Sequence, residues 1–269
     1  MDSQELRQII KLKQSYLCVG LDTDITRLPD GFSKDCSGII NFNKEIIEAT
    51  KDYAVAYKMN TAFYERLGSD GWKALEKTRD LLPTNVLSIA DAKRGDIGNT
   101  SRMYAKAFFE TLSFDAVTVA PYMGIDSVEP FLEFNNKYTI VLGLTSNKGS
   151  QNFQTNPIYE PHLYKTVLKT IKDWGSVDNL MFVVGATKAN SLKEIRKIIP
   201  NHFLLIPGVG AQGGNAIEVC QNGKNSNGGL LINSSRGIIY ASSDKNFAET
   251  ARQKAKELAL ETKPYTQHL

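Results

Sequence analysis

Val86–Asp96 reads VLSIADAKRGD, an apolar, β-branched run that passes without a break into alternating charges. On the two-residue period of a strand, Leu87, Ile89, Asp91 and Lys93 share one face, while Ser88, Ala90 and Ala92 share the other. A strand that is apolar until its C-terminal end and charged there is the pattern of a barrel-lining strand, whose functional side chains emerge at the mouth. Seven further short apolar runs surround it: Tyr16–Leu21, Ala54–Met59, Ala116–Val119, Thr139–Leu144, Leu180–Val184, Phe203–Ile206 and Leu230–Ile232. Segments with helical spacing alternate with them, including 44–50, 71–81, 101–112, 127–134, 162–174, 191–199 and 246–261. Such alternation calls for a parallel sheet. Eight βα units in 269 residues fit an α/β protein of the (β/α)8 TIM-barrel type. An open doubly wound sheet shares the same periodicity.

Composition narrows the function classes. Hydrophobic side chains make up 42% and charged ones 23%, which rules out a disordered or collagen-like chain. The formal charge of +3 comes without a basic block, so nothing demands nucleic acid as a partner. Cys18, Cys36 and Cys220 are far apart and form no CxxC pair, which suits a reducing, cytoplasmic compartment better than a disulfide or zinc framework. The N-terminal stretch MDSQELRQIIKLK reads as an amphipathic helix, not as a signal peptide, and no run is long enough to span a membrane. With no linker-like composition break, residues 1–269 are expected to form one barrel domain. The irregular stretch 145–161 after the fifth run has the length of an active-site loop.

Three strand ends deliver charge to one rim: Asp22 after the first, Lys58 in the second, and Asp91 with Lys93 in the third. Each has a plain structural explanation. Asp22 could cap a turn, and Asp91, Lys93, Arg94 and Asp96 could be a solvated run at a helix start. Lys58 is harder to explain that way, because a lysine among small apolar residues needs an anion or an escape to solvent. The stretch PGVGAQGGN (207–215) contains G-x-G-x-x-G after the seventh run, but it lies too late, and lacks the acidic residue that a dinucleotide fold would place about 20 positions on. In a barrel, loops after strands seven and eight form a phosphate cup, which makes Gln212 and Arg236 candidate ligands. His162 and His202 lie away from the C-terminal ends of strands and His268 is almost terminal, so none is placed as a base or metal ligand, and Trp72 and Trp174 read as packing residues on outer helices.

Ile89–Thr100, IADAKRGDIGNT, resembles the D-x-K-x-x-D-[IV]-[GP]-x-T signature of the orotidine 5′-monophosphate decarboxylase family. VGLD, YKMN, TSNKG, PGVGAQGG and SSRG follow the same family's landmarks in order. The length and the GLTSNKGS and VVGAT segments are similar to its longer bacterial branch. The resemblance implies a (β/α)8 barrel that converts orotidine 5′-monophosphate to UMP and CO2 in pyrimidine biosynthesis, with no cofactor and no metal. It also implies a catalytic array of Lys58, Asp91, Lys93 and Asp96, with Lys93 as proton donor. Asp22 would contact a ribose hydroxyl, Ser146 the pyrimidine edge, and Gln212, the Ser235 amide and Arg236 the phosphate. Asp96, Ile97 and Thr100 would reach into the neighbouring site of a homodimer. Sugar-phosphate decarboxylases of the same superfamily share D-x-K-x-x-D but use Mg2+ held by a glutamate on strand two, where this chain has Lys58. A silent phosphate-binding barrel would keep Gln212 and Arg236 and have no need of the Lys/Asp array.

Overall fold

The computed structural model describes residues 1–210 and 213–269. Eight strands follow one another around a closed barrel: β1 (Leu17–Gly20), β2 (Ala56–Asn60), β3 (Leu87–Arg94), β4 (Ala116–Val119), β5 (Tyr138–Leu144), β6 (Leu180–Val184), β7 (Leu204–Pro207) and β8 (Leu230–Ser234). Every neighbouring pair is parallel, and the ring is completed by β8 against β1, with Leu17 opposite Ile232 and Cys18 opposite Asn233. That last pairing separates the closed barrel from an open sheet, a choice periodicity leaves undecided. The strands are almost wholly buried, since barrel residues face either the filled interior or the surrounding helices.

Helix α1 (Ser3–Lys13) precedes the barrel and α2 to α9 follow the strands: Cys36–Thr50, Gly68–Asp80, Gly98–Lys106, Ile125–Leu132, Leu163–Ile171, Ala189–Ile198, Ala216–Gly223 and Phe247–Thr262. In α1, Asp2 and Glu5 form a reciprocal capping box, and Leu6 and Ile10 are fully buried. Its contacts go to the segments that lead into strands. Lys13 donates to the carbonyls of Lys51 and Ala54, and Ser3 donates to Asp178. The helix therefore lies across the N-terminal end of the barrel, opposite the mouth. Burial lowers the Lys13 ammonium to about 8.

Two elements depart from the periodicity. Helix α2 begins at Cys36 rather than near Lys44, because Asp35 accepts hydrogen bonds from the amides of Ser37 and Gly38 and starts an apolar stripe of Ile39, Phe42, Ile46 and Ile47. Helix α8, for which no spacing was read, starts directly after the glycine-rich stretch, where Asn215 caps the amides of Ile217 and Glu218. Among the described residues no helix is long and apolar enough to cross a membrane.

Candidate active site

The charged strand ends meet at the C-terminal mouth. Lys58 Nζ lies 3.3 Å from Asp22 Oδ1 and 3.2 Å from Asp91 Oδ2. The other oxygen of Asp91 receives Lys93 Nζ at 2.7 Å and the Thr118 hydroxyl at 2.9 Å. The amide of Asn60 donates to Asp22 at 3.1 Å and holds the first carboxylate. Acid and base thus alternate in the order Asp22, Lys58, Asp91, Lys93. Burial opposes the charge of Lys58, whose side chain is 4% exposed, but Asp22 and Asp91 outweigh it and hold the ammonium above its ordinary range. Burial likewise raises Asp91, and the two lysines overcome this and keep the carboxyl well below the usual carboxylate range. Below them Cys18 is fully buried; burial pushes its thiol up to about 12, so it stays neutral.

Lys93 differs from its neighbours in being half-exposed, the open end of the chain of charges. Its backbone is left-handed, at φ 47°. For a residue with a Cβ this costs roughly 1–2 kcal/mol, and such strain concentrates at functional positions. The two-residue period therefore breaks beyond Ala92, and the left-handed residue, not simple alternation, returns the lysine to Asp91. Arg94 is not part of a solvated run. It pairs with Glu65, donates to the Ala92 carbonyl at 3.0 Å, and lies over the rings of Tyr104 and Phe108.

A cavity of about 710 Å3 opens above the array, within the size range of small-molecule sites. Asp22, Lys58, Asp91, Lys93, Ser146, Ser235 and Arg236 all line it. β1 approaches Ser235 so closely at Gly20 that a Cβ there would lie 2.6 Å from the serine Cβ. After β7, Gly208, Gly210 and Gly213 adopt positive φ, and Gly214 donates to the Gly208 carbonyl. That bond draws Gly214 to Gly208, which lines the cavity. Gln212 lies outside the described residues. Asp96, Ile97 and Thr100 do not line the cavity. They lead into and begin α4, with Ile97 56% exposed.

Several contributors were not singled out in the sequence. Thr118 is buried on β4 and contacts both Asp91 and the Lys93 backbone; its only signal was one hydroxyl in the apolar run AVTV. Asn60, Arg27 and Tyr240 line the cavity, with the Arg27 guanidinium 3.9 Å above the Tyr240 ring. Asn60 lies two residues beyond Lys58 on the same face of β2, a signal the strand period did carry, whereas nothing in the spacing of Arg27 or Tyr240 pointed inward. Among the described residues no group of three or more His, Cys, Asp or Glu could hold a metal ion. The cation between the two partly buried carboxylates is Lys58.

Residues 15–251 match the model of the orotidine 5′-phosphate decarboxylase / HUMPS family. The chain belongs to this family. Its relatives include orotidine 5′-phosphate decarboxylases from Christiangramia forsetii, 61% identical over 96% of both chains, and Flavobacterium johnsoniae, 57% identical over 95% of this chain and 94% of the other. Among solved structures, Leishmania donovani OMP decarboxylase superposes with a TM-score of 0.86 at 35% identity and covers 99% of both chains. The family resemblance read from the D-x-K-x-x-D stretch and the barrel it implied both stand.

Proposed function

We propose that this protein decarboxylates orotidine 5′-monophosphate to UMP and CO2 without a cofactor, the last step of UMP synthesis. The observation that carries this reading is the alternating array of Asp22, Lys58, Asp91 and Lys93 at the floor of one cavity, with the exposed ammonium at its end. Breaking the bond from C6 to the carboxyl carbon leaves an electron pair in the plane of the ring, where no carbonyl or imine can absorb it. A preorganised cation beside C6 supplies that stabilisation, an effect worth several kcal/mol, on the order of 3 for one well-placed group. Lys93 is the donor. Its N–H bond breaks as the C6–H bond forms, and the neutral amine regains its proton from solvent. Asp91 keeps Lys58 charged, holds the Lys93 ammonium by an ion pair, and stands against the departing carboxylate.

Asp22 then contacts a ribose hydroxyl and Ser146 the pyrimidine edge, while Gln212, the Ser235 amide and Arg236 hold the phosphate. Binding energy from that remote phosphate helps organise the reacting end. We further infer a cytoplasmic homodimer of single-domain subunits spanning residues 1–269, in which Asp96, Ile97 and Thr100 complete the partner's site. Support comes from their position outside the cavity of their own chain and from the exposed apolar side chains around them: Met103, Tyr104, Tyr122, Met123 and Ile125. Purified protein incubated with orotidine 5′-monophosphate and EDTA is expected to bleach the orotate chromophore. Persistence of the signal would sink the assignment, and recovery only with Mg2+ would favour a metal-dependent sugar-phosphate decarboxylase instead.

A further inference from the structure

We propose that Thr118 is a positioning residue for Lys93 and Asp91, a role that rests on the decarboxylase reading above. The register of β3 against β4 is irregular at this point. Ala90 pairs with Val117 and Arg94 with Val119, so Asp91, Ala92 and Lys93 on one strand face the single residue Thr118 on the other. Such a bulge leaves backbone groups without ladder partners. Thr118 fills the gap with its side chain. Its Oγ1 accepts the Lys93 amide at 2.9 Å and donates its own proton to Asp91 Oδ1 at 2.9 Å, the oxygen that also receives Lys93 Nζ at 2.7 Å. The hydroxyl therefore closes a ring from the lysine's backbone to the carboxylate that holds its ammonium.

The direction of each bond follows from the chemistry. An amide only donates, so the hydroxyl must accept there and is left to donate to the carboxylate. One group thereby fixes the left-handed backbone at Lys93 and the orientation in which Asp91 turns one oxygen to each lysine. Thr118 is completely buried, next to Asp91 and beneath the cavity, and its methyl packs in an otherwise apolar strand. Valine would preserve shape and packing while removing both bonds. Serine would keep the bonds and lose only the methyl.

Thr118→Val is expected to lower kcat roughly 10- to 100-fold, the range for hydrogen bonds involving a charged group, with KM and the dissociation constant for UMP within about twofold of wild type because the phosphate end is untouched. Thr118→Ser should retain kcat within about threefold of wild type. All three proteins are assayed well below their thermal midpoints, with Thr118→Ala as a second hydroxyl-free variant should the valine protein not fold. A merely structural threonine would shift the midpoint and leave the kcat of folded protein alone. Wild-type kcat in a folded hydroxyl-free variant, or a serine variant as slow as the valine one, would overturn the role. Wild-type protein that leaves the substrate intact would instead overturn the decarboxylase reading itself.

Discussion

At the residue scale, two carboxylates maintain the charge on Lys58, and Lys58 with Lys93 in turn keeps Asp91 ionised, so the members of the array depend on one another. This dependence was partly visible in the sequence, because a lysine in a strand of small apolar residues must find an anion. The left-handed backbone of Lys93 was not visible, since it arises from a bulge against β4 that no single strand's pattern contains. Away from the site, His202 lies at the foot of β7 against Phe182, and neither ring nitrogen has a protein partner. Burial, then the nearby Arg196 guanidinium, lowers it from 6.5 to about 4. Between those values the unfolded chain binds a proton that the folded one refuses, so stability is full above pH 6.5 and falls as the pH drops toward 4. Urea unfolding across that window should show a loss of about 3 kcal/mol from this group. His202→Leu should flatten that part of the profile, and an unchanged slope would remove His202 as its source.

At the scale of elements, the βα repeat was readable because strands buried on both faces are short apolar runs and the outer helices are amphipathic. Helix boundaries followed less well. Asp35 and Asn215 start α2 and α8 through side-chain bonds to free amides, and these caps lie in stretches whose composition reads as loop. Asn215 also directly follows the glycine-rich stretch after β7, so it joins a local helix start to the edge of the cavity. Asn215→Ala should reduce stability by about 1 kcal/mol. It should also weaken UMP binding, measured by calorimetry, more than it changes kcat; unchanged affinity would separate the cap from the cavity edge.

At the scale of the whole molecule, one chain gathers four charged groups but leaves Asp96 and Ile97 just before α4 and Thr100 in its first turn, outside the cavity. Lys93→Ala and Asp96→Ala proteins are each expected to be inactive while still binding UMP. Mixed after subunit exchange, they should recover part of the wild-type activity, because a mixed dimer has one site free of both substitutions. No recovery after demonstrated exchange would confine each site to one subunit. The sequence by itself determined the alternation of strands and helices, the charged ends of three strands and the glycine-rich stretch after the seventh, because these depend on local period and residue chemistry. Only the tertiary structure decided that β8 closes on β1, that Lys58 lies between Asp22 and Asp91, and that Thr118 bridges Lys93 to Asp91. Those contacts join residues far apart in the chain, and their geometry is set by strand register around the barrel, which no local pattern encodes.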